Sequence, residues 1–323
     1  MTARPRLSPR STTTTLLATM LLAACSHAPD EQSDWIDGPP LPEPVQELHG
    51  ASLRGRIYVA GGIRSGNVVS SSTFRLDSAA TEWTRIADLP APRHHMPLAA
   101  TADSLYAIGG YDPAGSPVAT VWVYDEGGDR WLERAPLPEP RAASAAGVVG
   151  GGILVVGGVG AGNVLLDSIA IYDLASGGWT RGAPIPTPRD HLAAVALAEA
   201  LYAVGGRPLD PDRNFDRLER YDPATAGWTA LAPMPTARGG LAAVGSLGRI
   251  HVFGGETSGR VFEEHEVFDP AADRWSAAAP LPTPRHGLAA AEQGGRIYVI
   301  GGGPSAGLAQ TAVVETFAPT DVN

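Results

Sequence analysis

Tryptophans stand at positions 35, 83, 131, 179, 228 and 275 of this 323-residue chain, separated by 48, 48, 48, 49 and 47 residues. Twenty-six residues after each comes a Gly-Gly pair, beginning at Gly61, Gly109, Gly157, Gly205, Gly254 and Gly301. Six residues before each of the last five tryptophans sits an aspartate: Asp77, Asp125, Asp173, Asp222 and Asp269. All variation in length therefore lies between Gly-Gly and Asp, and Trp122 is the one tryptophan outside the register. Self-similarity at a fixed period marks an array of supersecondary units, none of which can bury its apolar face alone.

Each unit reads as four short strands. After the tryptophan comes a turn such as Pro136-Leu137-Pro138, then a strand of small residues such as Leu192-Ala193-Ala194-Val195-Ala196. An apolar strand such as Arg296-Ile297-Tyr298-Val299-Ile300 runs into the glycines, a third carries Tyr-Asp, as in Tyr172-Asp173, and a turn leads back to tryptophan. Small residues suit strands that converge on an axis, and Gly-Gly lets the backbone leave a strand through conformations that a Cβ penalises. The recurring Trp and Asp are expected in core and turn, their polar atoms satisfying backbone groups.

The Gly-Gly pair, the Tyr-Asp step and the Trp at a period near 50 resemble the kelch repeat over residues 35–323. The resemblance implies an all-β fold, a closed six-bladed β-propeller. In the last unit Phe317-Ala318 falls where Tyr-Asp is due and the chain stops at Asn323, while the first unit begins at Trp35 with no third strand before it. The N-terminal strand around Trp35 is thus expected to complete the last blade, leaving no open sheet edge around the ring.

The start of the chain reads as a targeting segment. Arg4, Arg6 and Arg10 precede a short apolar stretch, Leu16 to Ala24, too brief for a transmembrane helix of ~20 residues. It ends in Leu22-Ala23-Ala24-Cys25, which resembles the bacterial lipobox and implies a signal peptide over 1–24, an acylated Cys25 and a polar tether over 25–34. Cys25 is the only cysteine, so no disulfide competes for it, and two or more acyl chains anchor stably. Ser26, where an Asp would mark retention at the inner membrane, implies the outer membrane, facing the periplasm or cell surface. Without residues 1–24 the chain carries 34 acidic and 21 basic residues, a net charge of −13. That excludes nucleic-acid binding as a main function. Every basic residue is arginine, which also excludes Schiff-base lysine chemistry.

Candidate site residues cluster ten to twelve positions after each tryptophan. The tenth is Arg93, Arg141, Arg189, Arg238 or Arg285, with Val45 in the first unit; the next two include His94, His95, Asp190, His191, His286, Gln46 and Glu47. Ligand-binding kelch proteins use this face together with the loops after Gly-Gly, which here offer Tyr111, Arg207 and Glu256. An arginine ring at one mouth of the channel would suit an anionic ligand. Recurrence in five of six units equally fits a scaffold arginine bonded to carbonyls of the neighbouring blade, and for each arginine singly this is the favoured reading. The non-repeating residues are the better functional candidates. A metal site from His94, His95, His191 and His286 is conceivable, but adjacent histidines in a turn often point apart, and no metal or other cofactor is expected.

The leading functional expectation is an envelope-anchored binding module for an anionic small molecule, a glycan or a protein partner. A structural subunit of an envelope assembly comes second. Third is an enzyme: the N-acetylneuraminate epimerases (sialic acid mutarotases) share this general plan, and by analogy His95, His191 or Glu256 would be acid–base candidates. Galactose-oxidase-type copper chemistry is set aside, because it needs a cysteine cross-linked to tyrosine.

Overall fold

The computed structural model describes residues 1–2 and 35–320, and among these every regular element is a strand. Six antiparallel four-stranded sheets follow the sequence repeat. The first blade runs from its innermost strand His49–Leu53 through Arg56–Ala60 and Thr73–Leu76 to Trp83–Ile86. Four more blades repeat this plan, starting at Leu98, Ala145, Ala193 and Ala242. The sixth has Ala289–Gln293, Arg296–Ile300 and Val314–Phe317, and its outer strand is Trp35–Asp37, paired in the register Trp35↔Phe317, Ile36↔Thr316 and Asp37↔Glu315. The expected closure by the N-terminal strand is therefore observed. Signal peptide, Cys25 and tether fall on residues 1–34, nearly all of them outside the described residues.

Three sets of hydrogen bonds run completely round the ring. Each repeat tryptophan donates its indole N–H to the carbonyl four residues after the preceding tryptophan. Trp83 reaches Pro39 at 2.8 Å and Trp131 reaches Ala87 at 3.0 Å, and so on round to Trp35, which bonds Ala279 at 3.0 Å. The second glycine of each pair donates to the carbonyl ten residues after the next tryptophan: Gly62 to Arg93 at 2.8 Å, Gly110 to Arg141 at 2.9 Å, closing with Gly302 to Val45 at 2.8 Å. A Cβ on the first glycine would lie 2.2–2.9 Å from that same carbonyl oxygen, which is why no other residue serves there. The third set lies at the channel mouth and is described below.

Large side chains fill the seams between blades, while the channel is lined by small ones such as Ala99, Ala146, Ala194, Ala243 and Ala290. At the closing seam Trp35 packs edge-on to Phe253, with centroids 5.7 Å apart, and tilts over Phe317 at 5.2 Å. The repeat aspartates cap turns as expected: Asp77 accepts from the Thr81 N–H at 2.7 Å and Asp173 from that of Ser176 at 2.6 Å.

Candidate functional site at the channel mouth

The repeat arginines are not at the mouth. Arg141, Arg189, Arg238 and Arg285 are fully buried and Arg93 nearly so. Each holds two blades together: its carbonyl accepts from the glycine pair of one blade and its guanidinium runs into the next. Arg285 donates to the carbonyls of Gly301 and Val313 at 2.8 Å each and to Glu315 at 2.7 Å. Arg189 bonds Gly205, Ala203 and Glu219, and Arg238 bonds Glu264 O and Glu266. Desolvation pushes Arg238 and Arg285 down to about 10, so the carboxylate beside each is what retains the charge inside the fold.

The glutamates have their own register, three residues before the Asp of Tyr-Asp, and the exceptions compensate. Arg93 has Trp122 in that place and stacks over its ring at 5.1 Å, which accounts for the one tryptophan outside the repeat. Arg141 faces the third strand that carries Ala170, and takes its carboxylate instead from Glu139 at 3.2 Å. In the first unit Val45 replaces the arginine and Phe74 the glutamate, and both join one apolar cluster. The expected positive ring at the mouth is therefore corrected: these arginines are scaffold, and Arg93, Arg141, Arg189, Arg238 and Arg285 offer no charge to a ligand.

The eleventh residue after each tryptophan pairs, strand-like, with the residue just after Gly-Gly. His94 bridges Tyr111, Asp190 bridges Arg207, Gly239 bridges Glu256 and His286 bridges Gly303. The two loops singled out in the sequence are thus one surface. The twelfth residues, Glu47, His95, Ala143, His191, Gly240 and Gly287, form the innermost ring at the mouth. Each amide donates to the carbonyl of its neighbour: Glu47 to Gly287 at 2.7 Å, Gly287 to Gly240 at 2.8 Å, and onward to His95, which donates to Glu47 at 3.1 Å. All six sit at positive φ, from 51° to 67°, where residues other than glycine are held at a cost of roughly 1–2 kcal/mol each.

On this common backbone the side chains differ sharply. Glu47, His95 and His191 send polar side chains toward one another, while Ala143, between the two histidines, and the neighbouring Gly240 and Gly287 add none. The His95 Nε2 lies 2.9 Å from the His191 Nε2 and 3.0 Å from the Glu47 Oε2. Behind them His191 donates from Nδ1 to Asp190, whose other oxygen accepts from the Leu209 N–H at 2.7 Å. That bond fixes the tautomer: the His191 Nε2 is an acceptor, so His95 carries its proton on Nε2 and shares it between His191 and Glu47. The His95 Nδ1 then accepts from the His94 Nδ1, 2.6 Å away.

A second layer surrounds this group. Arg207 pairs with Glu256 at 3.1 Å and approaches Asp190 at 3.6 Å, and the His286 Nε2 stands 3.5 Å from Glu256 and 3.8 Å from Glu47. Tyr111 covers both His94 and His95, with ring centroids 5.3 and 5.6 Å away. Burial raises the Glu47 carboxyl, but the His95 ring that hydrogen-bonds it, with the pull of His286 and His191, outweighs it and holds the group well below the usual range. Burial lowers His191, and with the neighbouring His95 it lowers His94 to about 4, so both rings are neutral at physiological pH. Burial, with Asp190 nearby, raises the Tyr111 hydroxyl to about 12. Three carboxylates, Glu47, Asp190 and Glu256, thus face one guanidinium, Arg207, and the mouth attracts cations rather than anions.

Of the thirteen ligand-site candidates, the structure gathers eight at this mouth: His94, His95, Tyr111, Asp190, His191, Arg207, Glu256 and His286. Of the four histidines considered together for a metal, only His95 and His191 bring ring nitrogens within 3 Å of each other across the axis. Glu47, named in the same register but not singled out as a ligand or metal residue, completes the group.

No curated protein matches this chain in sequence. The KLHDC2/KLHL20/DRC7 Kelch-repeats domain model matches residues 38–206, and the Kelch motif model matches residues 188–235. The solved structure of YjhT shares the fold with a TM-score of 0.73 at 19% identity, over 86% of this chain and 96% of that one. Solved chains alike in fold number 811, so the shape alone selects no ligand. With the Gly-Gly, Tyr-Asp and Trp positions performing the same structural task in blade after blade, the chain belongs to the kelch-repeat family of β-propellers.

Proposed function

We propose that this protein is a binding module of a bacterial envelope, held at the outer membrane through an acylated Cys25, with the channel mouth as its ligand face. One observation carries the reading. Six mouth turns share a backbone conformation and a closed ring of hydrogen bonds, yet their side chains depart from six-fold symmetry. Scaffold needs are met identically in all six turns, so they do not explain why three turns send polar side chains toward one another and the other three carry only glycine or alanine.

The chemistry of the mouth favours a hydroxyl-rich or amine-bearing ligand, such as a neutral or amino-sugar glycan, over an acidic one. Glu47, Asp190 and Glu256 are acceptors for hydroxyl or ammonium groups, and the Tyr111 and His94 rings offer flat apolar faces. The cavity inside the mouth is only ≈ 30 Å³, room for a water or two or an ion. A sugar therefore caps the mouth and rests on Tyr111 and Arg207 without entering the channel.

The test is a thermal-shift panel of neutral sugars, amino sugars, acidic sugars and cell-wall fragments against the purified protein and its Tyr111→Ala, Arg207→Ala double variant. A neutral or amino sugar that raises the melting temperature of the parent alone supports the reading. Stabilisation by acidic sugars only, or a hit retained by the variant, overturns it. Membrane fractionation of Cys25→Ser checks the anchor: release into the soluble fraction is expected, and unchanged sedimentation contradicts it.

A further inference from the structure

We propose that Glu47, His95 and His191 bind a divalent transition-metal ion, zinc being the natural probe, with an open coordination position facing the channel. The three side chains come from the N-terminal segment, the turn before the second blade and the turn before the fourth, and only ring closure brings them together. One ligand atom from each lies within 4.8 Å of the others. Tetrahedral zinc with bonds of about 2.0–2.1 Å has ligand atoms about 3.3 Å apart. The 2.9 Å and 3.0 Å separations at His95 open by only a few tenths of an ångström to admit the ion, and the His191–Glu47 separation, within 4.8 Å, adjusts toward the same spacing.

The surroundings are those of a metal site. Asp190 holds the His191 Nδ1–H, so its Nε2 lone pair already points at the axis, and Asp190 is itself held by the Leu209 amide and Arg207. His94 stands against the His95 Nδ1 in the corresponding position. In the absence of metal, the proton on the His95 Nε2 occupies the place of the ion. When zinc binds, that ring remains neutral by carrying its proton on Nδ1, which donates to His94, while the His94 proton moves to its own Nε2. No net proton is released.

Two imidazoles and one carboxylate leave a fourth position, and the small residues supply it. A Cβ on Gly240 would meet nothing closer than 3.7 Å, so that side of the mouth stays open. Gly287 serves differently: a Cβ there would lie 2.5 Å from a Glu47 carboxylate oxygen, so its missing side chain makes room for the ligand. Three protein ligands with one open position is the pattern of zinc sites that act on a bound water or substrate, whereas closed structural sites use four.

The test is calorimetric titration of zinc into tag-free, chelator-stripped protein. One ion per chain is expected, with a dissociation constant on the order of 1 µM or tighter. Magnesium and calcium, which prefer oxygen cages, are expected not to compete. His95→Ala with His191→Ala should abolish stoichiometric binding, and Asp190→Asn should weaken it by about 10–100-fold. Gly287→Ala, which alters no ligand, should also weaken it by displacing Glu47. Circular dichroism and the thermal midpoint confirm that each variant is folded. If the parent fails to bind at about 100 µM zinc, or the double variant binds as the parent does, the proposal is overturned. It stands apart from the sugar panel: zinc bound without any sugar hit preserves this site and removes the glycan reading, and the reverse outcome does the opposite.

Discussion

The pairing of Val45 with Phe74 in the first blade suggests an exchange that tests the role of the repeat arginines. Replacing Arg285 by valine leaves Glu315, which is 4% exposed, with only the Thr283 hydroxyl at 2.6 Å. It also removes the Arg285 donors from the carbonyls of Gly301 and Thr283, at 2.8 and 3.1 Å, while that of Val313 keeps the Gly301 N–H. Removing one partner of a buried ion pair costs roughly 3–5 kcal/mol. For a domain of this size the unfolding entropy is about 0.6 kcal/mol per degree, so the midpoint should fall by roughly 5–8 °C. Glu315→Phe alone should cost a similar amount, since it leaves a buried guanidinium without its counter-charge. Arg285→Val combined with Glu315→Phe recreates the first-blade pair and removes both charges. Only the two carbonyls remain unsatisfied, and the expected loss is about 2 kcal/mol in place of a sum of 6–10. Urea denaturation of all four proteins measures this directly. If the double variant is as unstable as the sum of the singles, or Arg285→Val alone costs less than about 1 kcal/mol, the buried pairs do not link the blades as described.

Other expectations concern the closing seam. Trp35→Ala removes the bond to Ala279 and the contacts with Phe253 and Phe317; it should destabilise the fold by about 3–5 kcal/mol, read by the same denaturation, and an unchanged midpoint would show that the outer strand contributes nothing to closure. Acid should act there too. Burial places His251 at about 4 and His265 at about 3, both down from 6.5. The His265 Nδ1–H bonds Ala279 O at 3.1 Å, and its Nε2 accepts from the His251 Nδ1 at 3.0 Å. The unfolded chain therefore takes up protons first, and stability present above pH 6.5 is lost as the pH falls towards 4, by roughly 3 kcal/mol per ring. The stability of a His251→Phe, His265→Phe variant should depend less on pH between 7 and 4; an identical pH profile would rule out this source of acid lability.

Much of the architecture could be read from spacing alone. Tryptophan, Gly-Gly and Tyr-Asp recur because the same bonds recur, and Trp35 without a preceding third strand pointed to closure. The scaffold reading favoured for each arginine holds, while the ring of positive charge at the mouth misled because a charge was counted without its partner. The partners are nevertheless written in the chain: Glu219, Glu266 and Glu315 share one register, and Trp122 and Phe74 occupy it where the arginine is partnered by an aromatic ring or replaced by valine. Glu47 was named at its position but not joined to the histidines, for a different reason. Its meeting with His95 and His191 depends on how six turns close around an axis, and no one-dimensional spacing encodes the distance across a ring. The negative balance of the mouth follows from the same geometry, since burial of the arginines leaves Glu47, Asp190 and Glu256 facing Arg207 alone.

The claim that the mouth is the working site is tested most directly by anomalous diffraction at the zinc absorption edge, from crystals grown with zinc. A single strong peak about 2 Å from the His95 Nε2, the His191 Nε2 and a Glu47 oxygen, with additional density toward Gly240, is the predicted result. A zinc-loaded crystal with its anomalous peaks elsewhere and none on the axis would contradict it.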